Sequence, residues 1–201
     1  MANRVKQRIA EIETETKETK IRAEVNLDGT GKSRVSTGTK FLDHMLASLS
    51  THSLIDIDLR ATGDLRHHII EDCAIALGRC LSKALGDRSG IVRFGSAMVP
   101  MDEALAFASL DLVKRTYFAM SDLELRRTSI EDLPREDLEH FFRSLCDSFG
   151  CTMHLGVECG SNDHHKVEAC FKALALSLRR AVERDPRRLN SATVPSSKGS
   201  M

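Results

Sequence analysis

Histidine and glutamate recur along this chain in a pattern that suits metal chemistry. His44 is followed 23 residues later by His67-His68-Ile69-Ile70-Glu71, and His140 is followed 24 residues later by His164-His165-Lys166-Val167-Glu168. The offset between copies is 96 for the lone histidines and 97 for the pairs. Six of the eight histidines fall in these positions, leaving His52 and His154 outside. On a helix Glu71 lies three residues from His68 and four from His67, so either histidine can share its face. Adjacent histidines themselves point ~100° apart at 3.6 residues per turn. Each pair, His67-His68 and His164-His165, should therefore diverge and serve two directions. Six histidines and two glutamates supply two ions with about three imidazoles and one carboxylate each, leaving positions open on an octahedral ion. Imidazole and carboxylate without thiolate suit Mn²⁺, Fe²⁺ or Zn²⁺: open octahedral positions favour manganese, while the affinity order favours zinc. The His-Glu-x-x-His pattern of zinc proteases is absent, which argues against that class.

Composition narrows the classes further. Lys+Arg and Asp+Glu both total 29 in 201 residues, so there is no basic excess to neutralise a nucleic-acid backbone. Aromatic side chains are too scarce, at 4%, to build base-stacking platforms. No apolar run approaches the ~20 residues of a membrane span. The stretch from Met1 to Lys20 is charged and unlike a signal peptide, so a cytoplasmic protein is expected. Cys73, Cys80, Cys146, Cys151, Cys159 and Cys170 form no Cys-x-x-Cys pair and read as small apolar core residues.

The elements that must position these ligands repeat as well. In the first half, Arg8–Ile21, Arg22–Asp28 and Ser33–Thr37 alternate as strands, with turn signals at Asp28-Gly29 and Gly38. Phe41–Ser50 carries apolar residues at helical spacing, and Leu54–Ala61 alternates as a half-buried strand. A helix over His67–Leu85 places Ile70, Ala74, Leu77, Leu81 and Leu85 on one stripe, stopped by Gly86. The second half repeats the order. Val92–Met98, Ala104–Lys114 and Thr116–Met120 read as strands, and Arg135–Phe149 as a helix with Pro134 at its entrance. Cys151–Cys159 then reads as a strand and Asp163–Arg184 as a helix ending before Pro186. The fold class is α+β: a duplicated βββαβα unit over 1–90 and 91–185, helices on one face of each sheet, the two helical layers buried against each other. The tail, 186–201, is polar, and by composition alone would be disordered.

Several runs carry a resemblance: Phe41-Leu42-Asp43-His44-Met45, His67-His68-x-x-Glu71-Asp72, Met101-Asp102-Glu103-Ala104-Leu105, His140-Phe141-Phe142, Asp163-His164-His165-x-x-Glu168 with Phe171-Lys172-Ala173, and Pro195-Ser196-Ser197-Lys198-Gly199. From about Arg8 to Gly199 the chain resembles the imidazoleglycerol-phosphate dehydratase family. The resemblance implies the duplicated βββαβα fold and a hydro-lyase of histidine biosynthesis, converting imidazole glycerol phosphate to imidazole acetol phosphate. It also implies two manganese ions per subunit, Zn²⁺ or Fe²⁺ being the alternatives, bound between subunits of a homo-oligomer of twenty-four chains. The implied metal ligands are His44, His67, His68, Glu71, His140, His164, His165 and Glu168. Metals flanking the substrate imidazole would stabilise its deprotonated form as Lewis acids. That form expels the adjacent hydroxyl, and loss of a neighbouring C–H proton gives an enol and then the ketone. The proton step needs a general acid–base, and the resemblance places Glu18 in that role. Arg93, Arg115, Lys172 and Lys198, with the Ser196 and Ser197 hydroxyls, match the phosphate site, and the tail thereby joins the substrate site. His52 matches a histidine near the substrate, and His154, inside a strand, is read as structural.

Two other classes use some of these features. A di-metal phosphoesterase would share the ligands but attack with a metal-bound water. A metal-storage or regulatory assembly would leave the cationic set and the Ser-Ser-Lys-Gly tail without a purpose.

Overall fold

The computed structural model describes residues 7–121, 123–188 and 194–197. In β1 (Ile9–Glu15) and β2 (Thr19–Asn26) side chains alternate: Ile21, Ala23 and Val25 are buried, while Lys20, Arg22 and Glu24 face outward. The turn between them falls at 16–18, not after Ile21 as the sequence suggested. The Thr16 hydroxyl accepts the backbone N–H groups of Glu18 (3.1 Å) and Thr19 (3.0 Å), so a side-chain-braced turn interrupts an otherwise continuous alternation. After β3 (Ser33–Ser36) and α1 (Lys40–Ser53), Leu54 takes a left-handed conformation that ends the helix. β4 (Asp56–Gly63) therefore begins two residues later than its apolar pattern implied. α2 (Arg66–Leu85) buries all five residues of the expected stripe.

The second half follows with β5 (Phe94–Met101), β6 (Ala104–Asp111) and β7 (Tyr117–Met120). A short hairpin, β8 (Ser129–Ile130) and β9 (Leu133–Pro134), leads into α3 (Arg135–Phe149), β10 (Thr152–Cys159) and α4 (Asp163–Val182). The two large sheets have the same topology. Their orders are β1-β2-β4-β3 and β5-β6-β10-β7, antiparallel except for one parallel pair at the edge, β3 with β4 and β7 with β10. This is a duplicated βββαβα α+β fold, with the β8–β9 hairpin added to the second copy.

Helices cover one face of each sheet, and the layers meet in register: α1 packs on α4, and α2 on α3. One apolar cluster runs through both halves, with Phe141, Phe142 and Phe171 at its centre. Gly78 lets α2 and α3 touch; a Cβ there would lie 2.8 Å from the Leu145 carbonyl oxygen and the Phe149 nitrogen. The halves also cap each other. Thr39 gives α1 no side-chain cap, and Asp132 from the β8–β9 turn accepts the N–H groups of Lys40 (2.7 Å) and Phe41 (2.9 Å) instead. Five cysteines are buried, but Cys159 is exposed because the register of β10 shifts after Val157. Among the described residues no helix is long and apolar enough to cross a membrane.

Candidate metal centre

The helix-on-helix layer gathers the repeated ligands into two groups, each drawn from both halves. His44 on α1 meets His164 and Glu168 on α4, while His140 on α3 meets His67 and Glu71 on α2. Within each group the ligand atoms lie within 4.8 Å of one another. Ligands held at ~2.1 Å on one ion stand at most about 4.2 Å apart, so small side-chain movements would suffice for either group to hold a cation. Two imidazoles and a carboxylate, without thiolate, are a fitting donor set for a divalent transition metal. The helical geometry selects the four-residue spacing, His67 with Glu71 (3.9 Å) and His164 with Glu168 (3.2 Å).

His68 and His165 turn away from both groups, the divergence expected of adjacent helical residues. His68 Nδ1 lies 2.9 Å from Asp64, and His165 Nδ1 lies 2.8 Å from Glu103. These hydrogen bonds raise both imidazole pKa values above 6.5, with burial opposing the shift. Glu103 is held well below the carboxylate range by His165 first, then by the backbone N–H groups of Asn162 and Ser161. On Glu168, burial pushes the carboxyl pKa up, but Lys172, His44 and His164 together bring it below its ordinary value.

Other carboxylates support the ligands. Asp137, 3% exposed, holds His67 Nδ1 at 2.5 Å, which leaves Nε2 free to bind a cation. Glu131 holds His164 Nδ1 at 3.2 Å. Asp64, Glu103, Glu131 and Asp137 were not singled out from the sequence. Asp64 stands one helical turn before His68, and Glu103 lies inside a quoted motif, so those two had a local signal; Asp137 had none. Arg126 and Arg127 were also missed. They line a cleft of about 550 Å³ with Asn162, His164 and His165.

Glu18 and Glu103 occupy equivalent places, each the last residue before the second strand of its half, β2 or β6. Glu103 is engaged with His165 and the 161–162 backbone. Glu18 lies in an open turn, its carboxylate 3.8 Å from His68 Nδ1 and 60% exposed. It is a turn residue, not the strand residue its charged surroundings suggested.

The expected phosphate residues are dispersed within one chain. Arg93 pairs bidentately with Asp111 (2.6 and 2.9 Å) and donates to the Pro195 carbonyl (2.7 Å), which holds the described part of the tail in place. The Arg93 backbone bonds to Ala181 near the C-terminal end of α4. Thirteen residues separate Ala181 from Glu168 along the chain, roughly 20 Å along the helix. Lys172 lies at the other end, 2.9 Å from Glu168. Arg115 and Ser197 are exposed and Ser196 half-buried, while Lys198 lies outside the described residues. His52, half-buried in the last turn of α1, belongs to neither group, and His154 is exposed with its ring 5.8 Å from Tyr117, so it has no core role.

Fold and site together define a class: a duplicated α+β enzyme whose candidate metal ligands are assembled across its two halves. The family model for imidazoleglycerol-phosphate dehydratase matches residues 37–178. The imidazoleglycerol-phosphate dehydratase of Chlorobaculum parvum is 48% identical over 97% of this chain and 99% of its own length. A bifunctional histidine-biosynthesis protein of Stenotrophomonas maltophilia is 48% identical over 96% of this chain, which spans 53% of that relative. The crystal structure of the Staphylococcus aureus dehydratase superposes with a TM-score of 0.80 at 31% identity, covering 88% of this chain and 99% of that one. The chain belongs to the imidazoleglycerol-phosphate dehydratase family, hydro-lyases of histidine biosynthesis.

Proposed function

We propose that this chain dehydrates imidazole glycerol phosphate to imidazole acetol phosphate in the cytoplasm, with two divalent cations, manganese first, held by its repeated ligands. The observation that carries the reading is the pair of crossed groups, His44/His164/Glu168 and His67/Glu71/His140, each with the donor set of a metal site. Bound there, the cations would supply Lewis-acid stabilisation of the substrate imidazole as it loses its N–H proton.

Each group offers three ligands, and the second histidine of each adjacent pair, His68 or His165, points away from both groups. We assign these two to the groups of neighbouring copies, so that active sites form between subunits of a homo-oligomer, the twenty-four-chain assembly of the resemblance. The separation along α4 supports this arrangement. Arg93 and the tail stand roughly 20 Å from Glu168 of the same chain, further than an imidazole with a three-carbon phosphate chain can span. The phosphate set of Arg93, Arg115, Lys172, Ser196, Ser197 and Lys198 would thus serve the substrate with members from more than one copy, and His52 would act from the substrate's surroundings. Glu18, uncommitted and beside His68, takes the proton from carbon and returns it to the enol.

The test is the product. The purified protein, loaded with Mn²⁺, is expected to convert imidazole glycerol phosphate to the dehydrated ketone with the phosphate ester intact. Release of inorganic phosphate at a matching rate would instead identify a phosphoesterase.

A further inference from the structure

Duplication makes the two metal groups comparable position by position, and two of their neighbours differ. Three residues before the lone histidine stands Phe41 in the first half and Asp137 in the second. Asp137 is 3% exposed and holds His67 Nδ1 at 2.5 Å. Phe41 instead lays its ring 4.9 Å from that of His164, the equivalent histidine. Glu131 does reach His164 at 3.2 Å, but it is 58% exposed, and water screens its charge. The second difference lies four residues after the glutamate, where the first half has Ile75 and the second has Lys172. The Lys172 ammonium sits 2.9 Å from Glu168 and neutralises part of the carboxylate. Among the described residues no lysine or arginine pairs with Glu71.

Both differences act in the same direction. A buried carboxylate behind an imidazole raises its basicity and fixes its orientation, and a cation beside a ligand carboxylate competes with the metal for its charge. We propose that the two groups are unequal, with His67, Glu71 and His140 binding their divalent cation more tightly than His44, His164 and Glu168. Asp137 is the positioning residue of the tighter group. The inference rests on the metal reading above and deepens it.

The test is stepwise removal of metal from the manganese-loaded protein by graded chelator, with metal per chain read by elemental analysis. Wild-type protein is expected to pause at one ion per chain. The ion retained by His44→Ala, held by the His67 group, should need about tenfold more chelator for half-removal than the ion retained by His140→Ala. Asp137→Ala in the His44→Ala protein should lower that retention by about 10–100-fold, the usual effect of removing a ligand's supporting partner. The same change in the His140→Ala protein should leave its ion unaffected, which separates local support from general loss of fold. Lys172→Ile, importing the first-half residue, should tighten the weaker ion. Release of both wild-type ions in one step, the reverse order, or an equal effect of Asp137→Ala on both would overturn the inequality while leaving the metal reading intact. Less than one ion per chain in loaded wild-type protein would overturn both.

Discussion

Glu18 and Glu103 began as copies of one position, and their surroundings now separate them. Glu103 accepts four hydrogen bonds, from the Ser161 N–H and hydroxyl, the Asn162 N–H and His165, and these contacts, His165 first, hold its proton affinity below that of an ordinary carboxylate. Asp64 relieves Glu18 of the matching duty by taking His68 at 2.9 Å. On the proposed mechanism this exposed carboxylate, 3.8 Å from His68, would move the carbon-bound proton, since ligands committed to metal would have no lone pair to offer. Glu18→Gln is expected to lower kcat by roughly 10²–10⁴-fold, the usual contribution of a general acid–base. Substrate affinity should stay near wild type, since the amide keeps the shape and the cations hold the substrate. Turnover and substrate affinity measured on the same preparation check this; near-normal turnover would move the role to His52 or Asp102.

The helices carry the ligands, and their packing sets the geometry of the groups. His67 and His140 stand on α2 and α3, whose backbones meet at Gly78. Gly78→Val would push two branched methyl groups into Leu145, Ser148 and Phe149, at an overpacking cost of about 1–3 kcal/mol. Each kcal/mol is worth roughly 2–4 °C for a chain of this size, so a thermal melt should show a clear fall in Tm. An unchanged Tm would mean that the helices separate freely and do not fix the group. These elements were legible because their patterns are local and repeated. The α2 stripe, the Arg135–Phe149 helix and the ligand spacings all follow from the sequence, as does the divergence of each histidine pair. The β8–β9 hairpin was not legible: two-residue strands have no period, and its Asp132 caps a helix 91 residues away in sequence. Asp137 was hidden for the same reason, since one acidic residue in the first turn of a helix reads as ordinary dipole compensation. The turn at Thr16 was missed because a hydroxyl, not a glycine or proline, shapes it.

At the scale of the molecule, duplication explains why each group needs both halves. The lone histidine of one copy faces the His-x-x-x-Glu face of the other, so neither half alone completes even three ligands. The same geometry leaves His68 and His165 turned away from both groups, against Asp64 and Glu103, and sets the Arg93 backbone at the far end of α4 from Glu168. On the proposed reading, the metal groups and the Arg93 end of the phosphate set stand apart within one chain, and self-assembly would reunite them. Pairwise spacing in the sequence shows which residues share a helix face, but not which lone histidine joins which pair or which surfaces meet between copies. The decisive measurement is therefore diffraction from crystals of the manganese-loaded protein, with the metal located by its anomalous scattering. The account predicts two peaks per chain, one within the His44, His164 and Glu168 group and one within the His67, Glu71 and His140 group, each joined by His68 or His165 of a neighbouring copy. A single peak per chain, or peaks that avoid these two groups, would contradict it.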